Sequence, residues 1–179
     1  LHVTNECPLT GDWAKGPAST GESLWIHSVW DTSLMAPALA ESWEYADQNT
    51  IVLHIRKGIR FHNKPPTSGR ELTADDVVFS IRRQFDIPTS FVKANVGVWF
   101  KSVEATDKWT VVIKGDNNSP APTLVTSQRL LNWLRILPRD MIEKYGNMRD
   151  WKTSCGTGPF MLVDYVSGAS ATFQKNPDY

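Results

Sequence analysis

The chain has 179 residues, 41% of them hydrophobic and 21% charged, and its 19 Lys+Arg balance 19 Asp+Glu. That is about one domain of ordinary globular composition, not a disordered chain. The zero formal charge excludes the basic excess of a nucleic-acid footprint, and no apolar run is long enough to cross a bilayer. No basic region followed by an apolar stretch opens the sequence, so it reads as lacking a signal peptide, and a start at Leu1 without Met reads as a processed or excised chain.

In chain order, Leu1 to Asn5 alternates as a short strand. Cys7 to Thr20 is turn-rich, broken by Pro8, Gly11, Gly16 and Pro17. A helix is expected from Glu22 to Trp30, with Ser19 or Thr20 near its N-cap. The loop before it is a plain connector or, alternatively, lines a ligand cleft with its backbone N–H groups. Ala38 to Tyr45 and Thr50 to Arg56 read as strands joined by the hairpin residues Asp47-Gln48-Asn49, with Ile51, Leu53 and Ile55 on the better-buried face. Lys57-Gly58 turns the chain into Ile59 to His62, and a Pro-rich loop over Asn63 to Gly69 follows.

Thr73-Ala74-Asp75-Asp76 opens a helix in the manner of a capping box, with both carboxylates at the positive end of the helix dipole. Val77, Val78, Ile81 and Phe85 form its apolar face. Phe91 to Phe100 reads as irregular, and Val103 to Ala105 with Thr110 to Ile113 as a hairpin around Asp107-Lys108. A short helix over Pro120 to Ser127, a strand over Asn132 to Leu137 and a helix over Pro138 to Tyr145 capped by Gly146 come next. Gly156-Thr157-Gly158-Pro159 cannot lie inside a helix and forms a tight entry into a strand from Phe160 to Val166. A turn at Ser167-Gly168 and a second strand, Ala171 to Gln174, complete a hairpin before Asn176-Pro177-Asp178-Tyr179. Hairpins and helices in this order do not make a regular βαβ alternation, so the fold class is mixed α/β (α+β).

Reactive constellations are not evident. His2, His27, His54 and His62 are dispersed without metal-ligand spacing, and His54 and His62 read as surface positions on strands. The adjacent Asp75 and Asp76 are explained by the helix start, and no serine sits in a nucleophile elbow. Cys7 and Cys155 are either two free, partly buried thiols or one disulfide closing almost the whole chain. Of the eight Trp, most belong to a core, and Trp13 and Trp99, in irregular segments, are the candidates for exposure.

Several motifs resemble one family in order and spacing. They are Ala-Glu-Ser-Trp-Glu at Ala40 to Glu44, Leu-His-Ile-Arg-Lys-Gly-Ile-Arg-Phe-His at Leu53 to His62, and Leu-Thr-Ala-Asp-Asp-Val-Val-Phe-Ser-Ile at Leu72 to Ile81. Ile136-Leu137-Pro138 through Lys144-Tyr145-Gly146, the Gly156-Thr157-Gly158-Pro159-Phe160 entry and the closing Asn-Pro-Asp-Tyr continue the match. The sequence resembles the extracellular solute-binding proteins of family 5, the oligopeptide- and dipeptide-binding subunits of ABC importers. The loop Asn63 to Arg70 is longer than the family's common Asp-Gly turn.

The resemblance implies a type II periplasmic-binding-protein fold, here a part of lobe I with several short antiparallel strands and about four helices. Residues 1–30 would begin lobe I, 31–155 would form the family-specific subdomain, and 156–179 would be the hairpin returning towards a lobe II that the chain lacks. It implies peptide capture by two-lobe closure and delivery to membrane permease subunits, in the periplasm or outside the cell, with membrane anchoring of the full-length protein. No catalysis, metal or cofactor is expected. By position alone, Ser19, Thr20, Gly21 and Trp99 would border the ligand, and the groups that hold peptide termini would lie in the second lobe. Two alternatives remain open: a non-peptide solute (oligosaccharide, nickel chelate or haem), or the ligand-sensing domain of a transcriptional regulator.

Overall fold

The computed structural model describes residues 3–16, 19–22, 32–116, 118 and 130–179. The helices expected over Glu22–Trp30 and Pro120–Ser127 lie almost wholly outside the described residues.

The body is a four-stranded antiparallel sheet in the order β3-β4-β6-β5, built from β3 (Ala40–Asp47), β4 (Thr50–Ile55), β5 (Phe100–Asp107) and β6 (Thr110–Gly115). Both hairpin turns use an Asp side chain as expected: Asn49 N–H donates to Asp47 Oδ1 at 2.7 Å and Trp109 N–H to Asp107 Oδ1 at 2.7 Å. The period of two along the central strands decides which face is covered. Ile51 pairs with Ile113 and Leu53 with Val111, and all four are buried, while Val52, His54 and Val112 between them stay partly open.

Helix α1 (Ala74–Asp86) covers the buried face with Val77, Val78 and Ile81. Thr73 N–H donates to Asp76 Oδ2 at 3.1 Å, so the N3 carboxylate caps the helix start. The same carboxylate is buried and takes two bonds from Arg70, at 2.8 and 2.6 Å, while Arg70 Nε donates to Asp140 at 2.6 Å. Arg70 also lies over the Phe61 ring, 5.0 Å from its centroid. One guanidinium thus fastens the loop after His62 to α1 and to α3 (Arg139–Tyr145), whose end Gly146 caps at φ 74° with its N–H on the Ile142 carbonyl.

Three expectations are corrected here. Phe91–Val96 is helical (α2), started by Ser90, whose hydroxyl accepts from Lys93 N–H. This turn carries Trp99 beneath it: Trp99 is 1% exposed, its indole fills the space where Gly115 has no side chain, and its carbonyl accepts from Asp116 N–H. Among the Trp candidates for exposure only Trp13, 75% exposed, is open. Residues 130–133 are helical, not extended, and bury Leu130 and Leu131, and no strand is assigned over 134–137.

The first segment runs beside this body. β1 (Leu9–Gly11) pairs with β2 (Met35–Pro37), the Cys7 and Pro8 carbonyls accept from Leu39 and Ala40 N–H, and the Glu6 carbonyl accepts from Ile136 N–H. Val3 and Thr4 are a turn rather than a strand, yet their carbonyls accept from Phe160 and Gly158 N–H, both at 3.0 Å. An added methyl group on Gly156 would fall on the Thr4 carbonyl oxygen, and one on Gly158 on the Val3 carbonyl. The two glycines are there because two backbones touch.

A third backbone meets them. His62 N–H donates to the Gly156 carbonyl at 2.8 Å, and the His62 ring lies between Gly156 N–H (3.3 Å to Nδ1) and the Gly158 carbonyl (2.9 Å to Nε2). Nδ1 accepts and Nε2–H donates, so the neutral imidazole satisfies both sides. Asn176 closes the set, donating from its side chain to the Gly158 carbonyl and from its backbone to the Pro159 carbonyl. His62 is therefore buried, contrary to its reading as a surface position, whereas His54 on β4 is partly exposed. Beyond the crossing, β7 (Phe160–Val166) and β8 (Ser170–Lys175) form a separate hairpin that turns at Gly168, φ 74°, and leaves Phe160, Val163, Tyr165 and Val166 exposed.

Three outcomes follow from these contacts. Arg70→Ala strands the buried Asp76 carboxylate and should cost about 3–5 kcal/mol in urea unfolding. Gly158→Ala should cost about 1–3 kcal/mol by forcing the crossing apart, and an unchanged midpoint would refute the contact. Burial, opposed by the Gly158 carbonyl and aided by Lys64, holds His62 below the ordinary imidazole range. The folded chain then binds fewer protons than the unfolded chain. Its stability is whole above about pH 6.5, the unfolded imidazole value, and falls as pH drops through the folded value. Urea midpoints from pH 8 to 5 should show this loss, and a His62→Gln variant should lack it.

Candidate functional site

A concavity of about 1120 Å³ lies where the first segment, the turn after β4 and the chain around Trp133 face one another. Its floor is Glu6 to Gly11, held from both sides by the Leu39, Ala40 and Ile136 N–H bonds described above. One wall is the turn Arg56 to Arg60, shaped by Gly58 at φ 83°. Asn132, Trp133 and Arg135 form another wall, and Thr157, Pro159, Asp178 and Tyr179 bring the backbone crossing to its edge. Trp13 stands at the mouth, in a 3-10 turn (Trp13–Lys15) begun by Asp12, whose carboxylate accepts from Ala14 N–H at 3.0 Å.

Charge is unevenly spread over this surface. Arg56, Lys57 and Arg60 fall within five residues of one wall, and Arg135 adds a fourth cation. Glu6 and Asp178 also line it, and Glu6 is engaged, accepting from the Thr157 hydroxyl at 2.8 Å and the Tyr179 hydroxyl at 3.2 Å.

The two cysteines are free and buried in different surroundings, which corrects the disulfide alternative. Cys7 Sγ donates to the Asn132 carbonyl at 2.9 Å and touches Arg135, and Cys155 Sγ faces the His62 carbonyl at 3.8 Å. Burial pushes Cys7 up to about 12 against the pull of Arg135, and Cys155 up to about 11, so both are neutral thiols at ordinary pH. Among the described residues no group of three His, Cys, Asp or Glu is placed to hold a metal ion.

The residues expected to border a ligand are not gathered at this cavity. Ser19, Thr20 and Gly21 lie in the exposed loop after the 3-10 turn. There Ser19 and Gly21 N–H donate to the Gly16 carbonyl, and Thr20 N–H to the Ala14 carbonyl. Their N–H groups are thus used within the loop itself. Trp99 is enclosed in the core beside Gly115. The lining that sequence reasoning passed over is the cationic run Arg56-Lys57-Gly58-Ile59-Arg60, visible as a cluster of charge around a glycine, and Trp133 and Arg135, which no local pattern marks.

Comparison with known proteins addresses the chain as a whole. Residues 35–179 match the family described as bacterial extracellular solute-binding proteins, family 5 Middle. Heme-binding protein A of Haemophilus influenzae is 33% identical over 80% of this chain and 29% of its own length. The dipeptide-binding protein of Escherichia coli is 32% identical over 83% of this chain and 30% of its own. Among solved structures, the ABC transporter-associated periplasmic binding protein DppA from Helicobacter pylori, in complex with the peptide STSA, superposes with a TM-score of 0.71 at 25% identity, covering 99% of this chain and 34% of that one. The chain therefore spans less than a third of the length of these curated relatives, which are named as binding proteins. On the family match, the antiparallel sheet in a mixed α/β body and the superposition, this chain belongs to the bacterial extracellular solute-binding proteins of family 5.

Proposed function

We propose that these residues form one side of a cleft that captures peptides for an ABC importer. The reading is binding rather than catalysis, and delivery is to permease subunits in the membrane from the periplasm or cell exterior. The observation that carries it is the cavity itself: a pre-formed concavity with an aromatic mouth and polar walls, on a member of a solute-binding family. Trp13 presents a large ring with few rotors to freeze, which suits contact with a peptide of variable side chains. Two of the relatives named above carry peptide in their name or title, the dipeptide-binding protein and the STSA complex, and favour peptide as the solute class.

Closure of a second lobe would bury the ligand by contacts that the open state lacks, and ligand would select the closed form for that reason. One side alone makes only part of those contacts. Titration of the 179-residue chain with tetra-alanine, followed by amide shifts, should therefore move the signals of Trp13, Gly58 and Arg135 with dissociation constants weaker than micromolar, on the order of millimolar. Micromolar binding, or shifts confined to other surfaces, would contradict the half-cleft reading.

A further inference from the structure

We infer that Trp133 is a preset aromatic platform that selects peptides carrying an aromatic side chain, and that Phe91, outside the cavity, positions it. This adds a ligand class to the half-cleft reading, on which it rests.

The turn that carries Trp133 is held from two directions. Leu130, Leu131 and Leu134 are buried in the core, at the spacing of one helical face, and Leu134 N–H closes the turn on the Leu130 carbonyl at 3.0 Å. Trp133 lies off that face, half-buried and in the cavity wall. The same turn is pinned to the cavity floor. The Cys7 thiol donates to the Asn132 carbonyl at 2.9 Å, and Ile136 N–H donates to the Glu6 carbonyl at 3.1 Å. The backbone on either side of Trp133 is therefore fixed.

The indole itself is set by a second anchored turn. Helix α2 buries Val92 and Val96 and is capped by Ser90, which leaves Phe91 off the core and 63% exposed. The Phe91 ring meets the Trp133 ring with centroids 4.9 Å apart and planes inclined by 49°. At that separation tilted rings attract. Phe91 lies outside the lining, so it braces the indole without facing the ligand.

Apolar neighbours complete the surface: Ile59 and Pro159 line the cavity half-buried, and Trp13 stands at its mouth. An aromatic side chain settling on Trp133 gains apolar burial and ring–ring attraction, and a braced indole has little rotamer freedom left to lose. Leucine offers area without the ring attraction, and alanine offers neither. Affinity should therefore grade from phenylalanine through leucine to alanine. Because no charge is involved, the gradation should not change with salt.

The test is amide-shift titration of the 179-residue chain with Ala-Phe-Phe-Ala, Ala-Leu-Leu-Ala and tetra-alanine, at low and at high salt. The phenylalanine peptide should bind about three- to tenfold more tightly than tetra-alanine, with the leucine peptide between them and the Trp133 indole N–H among the signals that move. A Phe91→Ala variant should bind tetra-alanine as the parent does, with the phenylalanine advantage reduced to less than about twofold, and Phe91→Tyr should retain the advantage. The peptide series on the parent chain tests the platform by itself. Equal affinity for the three peptides at the cavity residues, or leucine bound more tightly than phenylalanine, overturns the platform and leaves the half-cleft reading standing. An advantage undiminished by Phe91→Ala overturns the positioning role. Failure of every peptide to move the cavity residues overturns the half-cleft reading and the inference with it.

Discussion

Three stretches of backbone, far apart in sequence, touch at Gly156 to Phe160, and the rest of the arrangement depends on that contact. Val3 and Thr4 supply carbonyls, Gly158 and Phe160 supply N–H groups, and His62 bridges the other side with its ring and its backbone. No side chain fits at either glycine. The cost of two glycines in the unfolded state is offset by hydrogen bonds that would otherwise be buried without partners. The crossing joins the floor of the cavity to the loop that Arg70 anchors and to the hairpin β7–β8. An isolated two-stranded hairpin is marginal in water, and this one is held at its base by Asn176.

Around that point the chain divides its work. The β3-β4-β6-β5 sheet with α1 is an ordinary one-face core, stabilised by burial of Ile51, Leu53, Val111, Ile113 and the helix residues against them. The first segment and the 56–60 turn have few apolar anchors of their own and are positioned by backbone hydrogen bonds to the core. That division leaves the floor and one wall of the cavity set by backbone geometry. The thiols and the buried carboxylate have structural roles in this arrangement. Asp76 caps and pairs, and Cys7 and Cys155 fill space as neutral thiols.

Much of this was legible in the residues. The alternation in Ile51 to Ile55, the Asp turns, the Thr73 to Asp76 start and the Gly-Thr-Gly-Pro entry each carry a local physical signal, and the structure places each where that signal indicates. The misses have reasons of the opposite kind. Phe91 to Val96 forms a helix because Ser90 caps it and Val92 and Val96 reach the core, a tertiary gain that weak propensity did not announce. Trp99 is hidden because Gly115, sixteen residues away, leaves room for an indole. His62 is buried because its two partners come from Gly156 and Gly158, more than ninety residues on. The cavity draws its lining from six separated segments, so no local window could assemble it; the nearest clue was the cationic run at Arg56 to Arg60.

The central claim is that the crossing at Gly156 to Phe160 is as firmly held as the sheet and so fixes the cavity floor. Native-state hydrogen exchange measures this directly through the amides of His62, Gly158 and Phe160, which donate across the crossing. The account predicts that they exchange only with global unfolding, at the free energy of the Ile51 and Ile113 amides. Exchange of the crossing amides near the rate of an unstructured peptide, while the sheet amides stay protected, would contradict it.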